Sequence, residues 1–97
     1  MILEVAILNI ISSKSDSFVT EFRKAEKIIS SIKGYISHEL QYCLENEFQY
    51  ILLVKWETLE DHTIGFRQSE QYQEWKQLLH HFYEPFPVVE HYQIIVD

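Results

Sequence analysis

The stretch Tyr35-Ile-Ser-His-Glu-Leu-Gln-Tyr-Cys-Leu44, Glu45-Asn-Glu47, Phe48-Gln-Tyr-Ile-Leu-Leu-Val-Lys-Trp-Glu57 decides the fold. Its first part alternates, with Ile36, His38, Leu40, Tyr42 and Leu44 on one face and Ser37, Glu39, Gln41 and Cys43 on the other. That is the period of a strand with one face on a core. Glu45-Asn46-Glu47 reverses the chain, and the β-branched and aromatic run Phe48–Glu57 reads as the antiparallel return strand.

On the N-terminal side, Ile2–Ile11 is apolar on both alternations, Leu3, Val5 and Ile7 on one and Ala6, Leu8 and Ile10 on the other, interrupted by Glu4. Such a run predicts a strand buried on both faces. Ser12–Ser17 offers several N-caps for a helix in which Phe18, Phe22, Ala25, Ile29 and Ile32 share a stripe opposite Glu21, Lys24, Lys27 and Lys33, closed by Gly34. On the C-terminal side, Thr58 with Asp61 predicts a capped short helix to about Phe66, and Ser69 caps a second. There Tyr72, Trp75, Leu79 and Phe82 form the stripe, with Leu78 and Tyr83 beside it. Glu84-Pro-Phe-Pro87 stops that helix and leads into a last strand, Val88–Val96.

The order β-α-β-β-α-α-β predicts an α+β, ferredoxin-like split βαβ fold over residues 1–97 as one domain, with helices on one face of a four-stranded antiparallel sheet. The uncovered sheet face is apolar as well. A homodimer packed sheet against sheet is the expected remedy.

The net charge of −7 is unevenly spread: residues 1–33 hold five basic and four acidic side chains, residues 34–97 three and eleven. Nucleic acid and anionic membrane need a basic footprint that this chain lacks. Ile2–Ile11 falls far short of the ~20 apolar residues of a membrane span and has neither a basic lead nor a small-residue cleavage site. Cys43, the single cysteine, reads as a small buried filler, and a reducing cytoplasm is the expected location.

Eight of the fourteen aromatic residues and four of the five histidines fall between Trp56 and Tyr92. Rings in that density can wall an apolar pocket while imidazoles handle protons, and the same residues can equally make plain core.

Several features carry a resemblance: a first strand ending near Asn9, Gly34-Tyr35 entering the second, Leu53-Val-Lys-Trp-Glu57 in the third, Ser69-x-x-Tyr72-x-x-Trp75 on the helix, and Val89-Glu-His-Tyr92 at the end. The chain resembles the antibiotic biosynthesis monooxygenase family of dimeric α/β barrels, and Glu60–Arg67 with His91-Tyr92 looks like one bacterial branch of it. The resemblance implies oxygenation of a small aromatic or quinonoid compound with no metal, flavin or other cofactor, in a homodimer whose last strand crosses toward the partner. Haem-degrading relatives use an Asn on the first strand, a Trp after the third strand and a His about ten residues on. Asn9 matches the first, Phe66 stands for the Trp, and Trp75-Lys76 occupies the His position, so haem degradation is disfavoured despite His80 one turn on.

Cofactor-free oxygenation needs a base, groups to hold the resulting oxyanion, and a dry pocket. His62, at i, i+4 spacing from Phe66, is the first choice of base. His80, on the flank of the helix stripe, either reaches a pocket mouth or caps the helix C-terminus. His81 lies on the opposite side and reads as exposed. His38 reads as a satisfied core histidine, and His91, in step with Val89, Gln93 and Ile95, as an interface residue. Asn9 and Arg67 are the candidate orienting groups, although Arg67 pairing with Glu60 or Glu70 is the plainer reading. Phe66, Tyr72, Trp75, Trp56 and Tyr83 are the candidate walls of a substrate pocket. No histidine pair shows metal-ligand spacing, so no metal site is expected. An isomerase or lyase, or a non-catalytic small-ligand-binding or stress-associated module, fits the same residues.

Overall fold

The computed structural model describes residues 1–97. Strand β1 (Ile2–Asn9) leads to helix α1 (Ser15–Ile29), then to the hairpin β2 (Tyr35–Tyr42) and β3 (Gln49–Trp56). A π-helical turn (Asp61–Phe66), helix α2 (Glu70–Leu79) and a short strand β4 (Val89–Tyr92) complete the chain. The sheet runs β2-β3-β1-β4 with every neighbouring pair antiparallel. This is the expected α+β, ferredoxin-like arrangement, in which the first and third strands lie at the centre.

Both helices cover one sheet face because their apolar stripes can be buried only there. Phe18, Phe22, Ala25 and Ile29 of α1 and Trp75 and Leu79 of α2 close on Ala6, Leu8, Leu52, Val54 and Trp56 of the central strands. The ends of the helical region follow local chemistry. Thr58 and Asp61 cap each other, the Asp61 carboxylate accepting from the Thr58 N–H and hydroxyl while the Thr58 hydroxyl accepts from the Asp61 N–H. Ser69 joins the π-helical turn to α2, its hydroxyl donating to the Phe66 carbonyl at 2.6 Å and accepting from the Tyr72 N–H at 3.1 Å.

Four expectations are corrected. Only one face of β1 is buried: Glu4, Ala6, Leu8 and, just past the strand, Ile10 point to the helices, whereas Ile7 is 46% exposed. A register shift between Tyr35 and Ser37 resets the alternation of β2, so Tyr35 and His38 turn toward the core while Ile36 is left exposed. Helix α1 has no side-chain N-cap; a 3-10 turn at Ser12–Lys14 leads into it. The last strand pairs only over Val89–Tyr92, leaving Ile94, Ile95 and Val96 exposed.

The uncovered face carries Leu3, Val5 and Ile7 of β1 opposite Lys55, Leu53 and Ile51 of β3. No helix is long and apolar enough to cross a membrane.

Candidate active site between sheet and helices

A pocket of about 200 Å³ opens between the β1–β4 side of the sheet and the π-helical turn and α2. Its walls include Leu8, Phe66, Tyr72, Trp75, Tyr83 and Phe86. Its charged and titratable groups are Glu4, His62, Arg67 and His80, together with the phenols of Tyr72 and Tyr83. The structure therefore brings together His62, His80, Arg67, Phe66, Tyr72, Trp75 and Tyr83. Trp56 and Asn9 lie elsewhere.

Trp56 is fully buried beneath the pocket, its ring stacked on His62 with centroids 5.3 Å apart. It supports the site rather than lining it. Asn9 is corrected: it follows Val5 and Ile7 on the outer sheet face, in a shallow depression with Pro85, Val88 and Tyr92. The strand period dictates this, because odd positions of β1 face away from the helices.

The residue that sequence reading passed over is Glu4. It shares the inward face with Ala6 and Leu8, is only 5% exposed, and lines the pocket. Its Oε1 accepts from the Trp56 indole N–H at 2.9 Å and lies 3.3 Å from His62 Nε2. Burial raises the carboxyl to about 7, against the opposing pull of the Trp56 bond and the Arg67 charge. The alternation was visible in the sequence; a charged residue two positions before Ala6 had to be either strained or used.

His62 has both ring nitrogens engaged, Nδ1 lying 2.8 Å from His91 Nε2. Burial, Arg67 and His91 push its pKa down to about 3, so the ring is neutral at physiological pH. His91, expected at an interface, faces this ring from the strand position directly opposite Glu4. Burial and Arg67 lower its pKa as well. Glu4, His62 and His91 thus form a chain of three titratable groups supplied by β1, the π-helical turn and β4.

His80 packs edge-on against Tyr72 and Phe86, with centroids at 5.9 and 4.9 Å. Burial first and then Lys76 lower its pKa. His80 stands at the C-cap position of α2 and also lines the pocket, so both expected placements hold. Arg67 is exposed at the rim and forms no ion pair with Glu60 or Glu70, which corrects the plainer expectation. Its charge is felt by Glu4, His62, Tyr72 and His91 alike.

His38 bonds the Tyr35 hydroxyl through Nδ1 and Glu26 through Nε2, a satisfied histidine far from the pocket. His81 is exposed, its carbonyl accepting from Lys14 at 3.0 Å. No group of three or more His, Cys, Asp or Glu side chains is arranged to hold a metal ion.

Comparison with known proteins agrees with this fold. The chain is 57% identical over 93 residues to the uncharacterized protein YczJ of Bacillus subtilis (strain 168), covering 96% of this chain and 98% of that protein. A crystal structure from Bordetella bronchiseptica, named provisionally as an antibiotic biosynthesis monooxygenase, superposes with a TM-score of 0.92 at 28% identity over 98% of this chain and 97% of its own. A mutant of SnoaB, a cofactor-independent oxygenase from Streptomyces nogalater, has the same fold at a TM-score of 0.84 and 9% identity, covering 99% and 94% of the two chains. The family model of antibiotic biosynthesis monooxygenases matches residues 1–78, and with that match and the shared fold, the chain belongs to the antibiotic biosynthesis monooxygenase family.

Proposed function

We propose that this protein oxidises a small aromatic or quinonoid compound with dioxygen, without a metal or organic cofactor. The observation that carries the reading is an aromatic-walled pocket whose polar lining comprises a carboxyl, two imidazoles, one unpaired guanidinium and the tyrosines Tyr72 and Tyr83. Its size selects the class of compound. A dry cavity of about 150 Å³ holds benzene, so a pocket of about 200 Å³ suits a single substituted ring.

The chemistry follows from the residues. A phenol is inert toward dioxygen, but its anion is electron-rich at the ring carbons. Removing the hydroxyl proton in a water-poor pocket, with Arg67 facing the oxyanion, favours that anion. Dioxygen then attacks the carbon para to the oxygen; one of its atoms becomes the second carbonyl of a quinone and the other leaves as water. His62 and His80 are the imidazoles in reach, Arg67 orients, and Phe66, Tyr72, Trp75 and Tyr83 hold the ring. Asn9 has no part in this pocket.

The working unit proposed is a homodimer, because Leu3, Val5, Ile7, Ile51 and Leu53 form an apolar patch on the uncovered sheet face. Its proposed setting is the cytoplasm, where the lone Cys43 thiol stays reduced.

The test is oxygen consumption by the purified protein with monocyclic phenols and hydroquinones. Uptake matched by quinone formation supports the reading. Solvent deuterium exchange into a bound ketone or phenol with no oxygen consumed would assign the site to an isomerase or lyase, a reading favoured by the linked proton-handling groups. Ligand binding with neither reaction would leave a binding module.

A further inference from the structure

We infer that Glu4 is the group that takes the proton from a hydroxyl bound in the pocket, and that His62 and His91 pass this proton to the outer edge of the sheet. The inference rests on the pocket being the place where a phenolic hydroxyl ionises, and it moves the base from an imidazole to a carboxylate.

The first argument is geometric. One oxygen of Glu4 is committed, Oε1 meeting Trp56 Nε1 at 2.9 Å and His62 Nε2 at 3.3 Å. The other, Oε2, has no partner within the protein. Every fully occluded side-chain oxygen and nitrogen does have one. Oε2 is therefore not fully occluded, and Glu4 is the one carboxylate residue lining the pocket.

The imidazoles are less suited. His62 points one nitrogen at Glu4 and the other at His91, so neither is free for a ligand. His80 has a depressed pKa, a cation in Lys76 beside it, and no hydrogen-bonded group to receive a proton from it. Glu4, by contrast, is raised to about 7 by burial, which makes its carboxylate a far better base than an exposed one.

The step balances simply. The substrate O–H bond breaks, a Glu4 Oε2–H bond forms, and the electron pair stays on the substrate oxygen facing Arg67. The proton then needs a way out of an apolar pocket. An imidazole can accept on one nitrogen while releasing from the other. His62 stands between Glu4 and His91 with its two nitrogens aimed at them, and His91 is half-buried at the edge strand with exposed Tyr92 next to it. A half-turn of the Glu4 carboxyl exchanges its oxygens, bringing the protonated one to His62 Nε2, where Oε1 stood at 3.3 Å, and leaving the other oxygen free of the proton. Around the carboxyl stand the Trp56 indole N–H from β3 and the charged or titratable groups His62 and Arg67 from the π-helical turn and its end, Tyr72 from α2, Tyr83 from the segment after α2 and His91 from β4.

Two measurements decide it. Infrared titration of the wild-type protein and E4Q is expected to show a carboxylic-acid band, absent from E4Q, that disappears across neutrality. A band lost already below ~pH 5, the ordinary carboxylate range, would overturn the assignment. The second measurement uses phenol, whose anion absorbs at longer wavelength than the neutral form. At about pH 8 the Glu4 carboxyl is ionised while the free hydroxyl, with a pKa of about 10, is not, and there the wild type should bind the probe as the anion and E4Q as the neutral phenol. The variant H91F should still form the anion but release the proton to a pH indicator at least about a hundredfold more slowly, the lower end of what one positioned proton-transfer group contributes. Anion formation on E4Q would remove Glu4 as the base, and proton release at the wild-type rate by H91F would remove the relay. Either result leaves oxygen uptake with phenols standing. A pocket that excludes the probe while the carboxyl titrates as expected would instead overturn the phenol reading, and the proton route with it.

Discussion

The indole N–H of Trp56 donates to Glu4 Oε1 across 2.9 Å, tying the end of β3 to the start of β1 directly beneath the pocket. This bond favours the carboxylate, whereas burial opposes it. Replacing Trp56 by Phe keeps most of the ring volume and deletes the donor. A buried acceptor left short of a partner costs about 1–3 kcal/mol, and more when it is charged. W56F should therefore be destabilised in urea unfolding, with a larger deficit at pH 8 than at pH 6. An equal deficit at both pH values would mean that the ring, not the hydrogen bond, matters.

The two ends of the Glu4–His62 pair pull stability in opposite directions with pH. A carboxyl raised to about 7 in the folded state holds its proton longer there than in the unfolded chain, so its contribution falls as pH rises from its unfolded value of 4.5 to about 7. An imidazole lowered to about 3 resists protonation when folded, so its contribution grows as pH rises from about 3 to 6.5. Between 4.5 and 6.5 the two offset each other. From these two groups alone, unfolding free energy would climb from pH 3 to 4.5, stay nearly level to 6.5 and fall to a lower level by about 7, and the lowered pKa values of His80 and His91 add a rise toward 6.5. At about 1.4 kcal/mol per pKa unit, E4Q should be more stable than wild type at pH 8 by roughly 1–3 kcal/mol. Urea titrations of both proteins across this range check the shape.

Much of the fold was legible because periodicity acts locally. The inward pair His38 and Leu40 of β2, the stripe Phe18–Phe22–Ala25–Ile29 and the Ser69 cap each need only neighbouring residues to be read. Even the facing of Glu4 and Asn9 followed from counting along β1, the one with Ala6 and the other with Ile7. What counting could not show is which side chain stands above Glu4. His62 comes to it from 58 positions away and His91 from the far end of the chain, through strand pairing and the path of the π-helical turn. The bulge after Tyr35 was hidden for a related reason: a register slip depends on the partner strand, and period-2 reading assumes that none occurs.

Gly34 joins the first half of the chain to the pocket side. Its φ of +89° lies in the left-handed region, and a Cβ built there would run into the Asp61 carboxylate that caps Thr58. The variant G34A therefore meets two penalties, roughly 1–2 kcal/mol for the backbone and about 1 kcal/mol if Asp61 gives up its cap. D61A alone should lose only the cap. Since removing the Asp61 carboxylate also removes the clash, G34A/D61A should be less destabilised than the sum of the single variants. Strict additivity in chemical denaturation would show that the two sites do not communicate.

The uncovered sheet face makes the last prediction. Ile7 is 46% exposed and lies opposite Ile51, with Val5 opposite Leu53, so one lysine at position 7 would place a charge amid this apolar patch. Neither side chain lines the pocket. In a dimer closed by this face, a buried unpaired ammonium is far costlier than an exposed isoleucine, and I7K should sediment as a monomer where the wild type sediments as a dimer. Because Ile7 points away from the core, the isolated I7K chain should retain the far-ultraviolet circular dichroism of the folded domain. A dimeric I7K would place the contact between copies elsewhere, and the exposed Ile94–Val96 segment would be the next stretch to substitute.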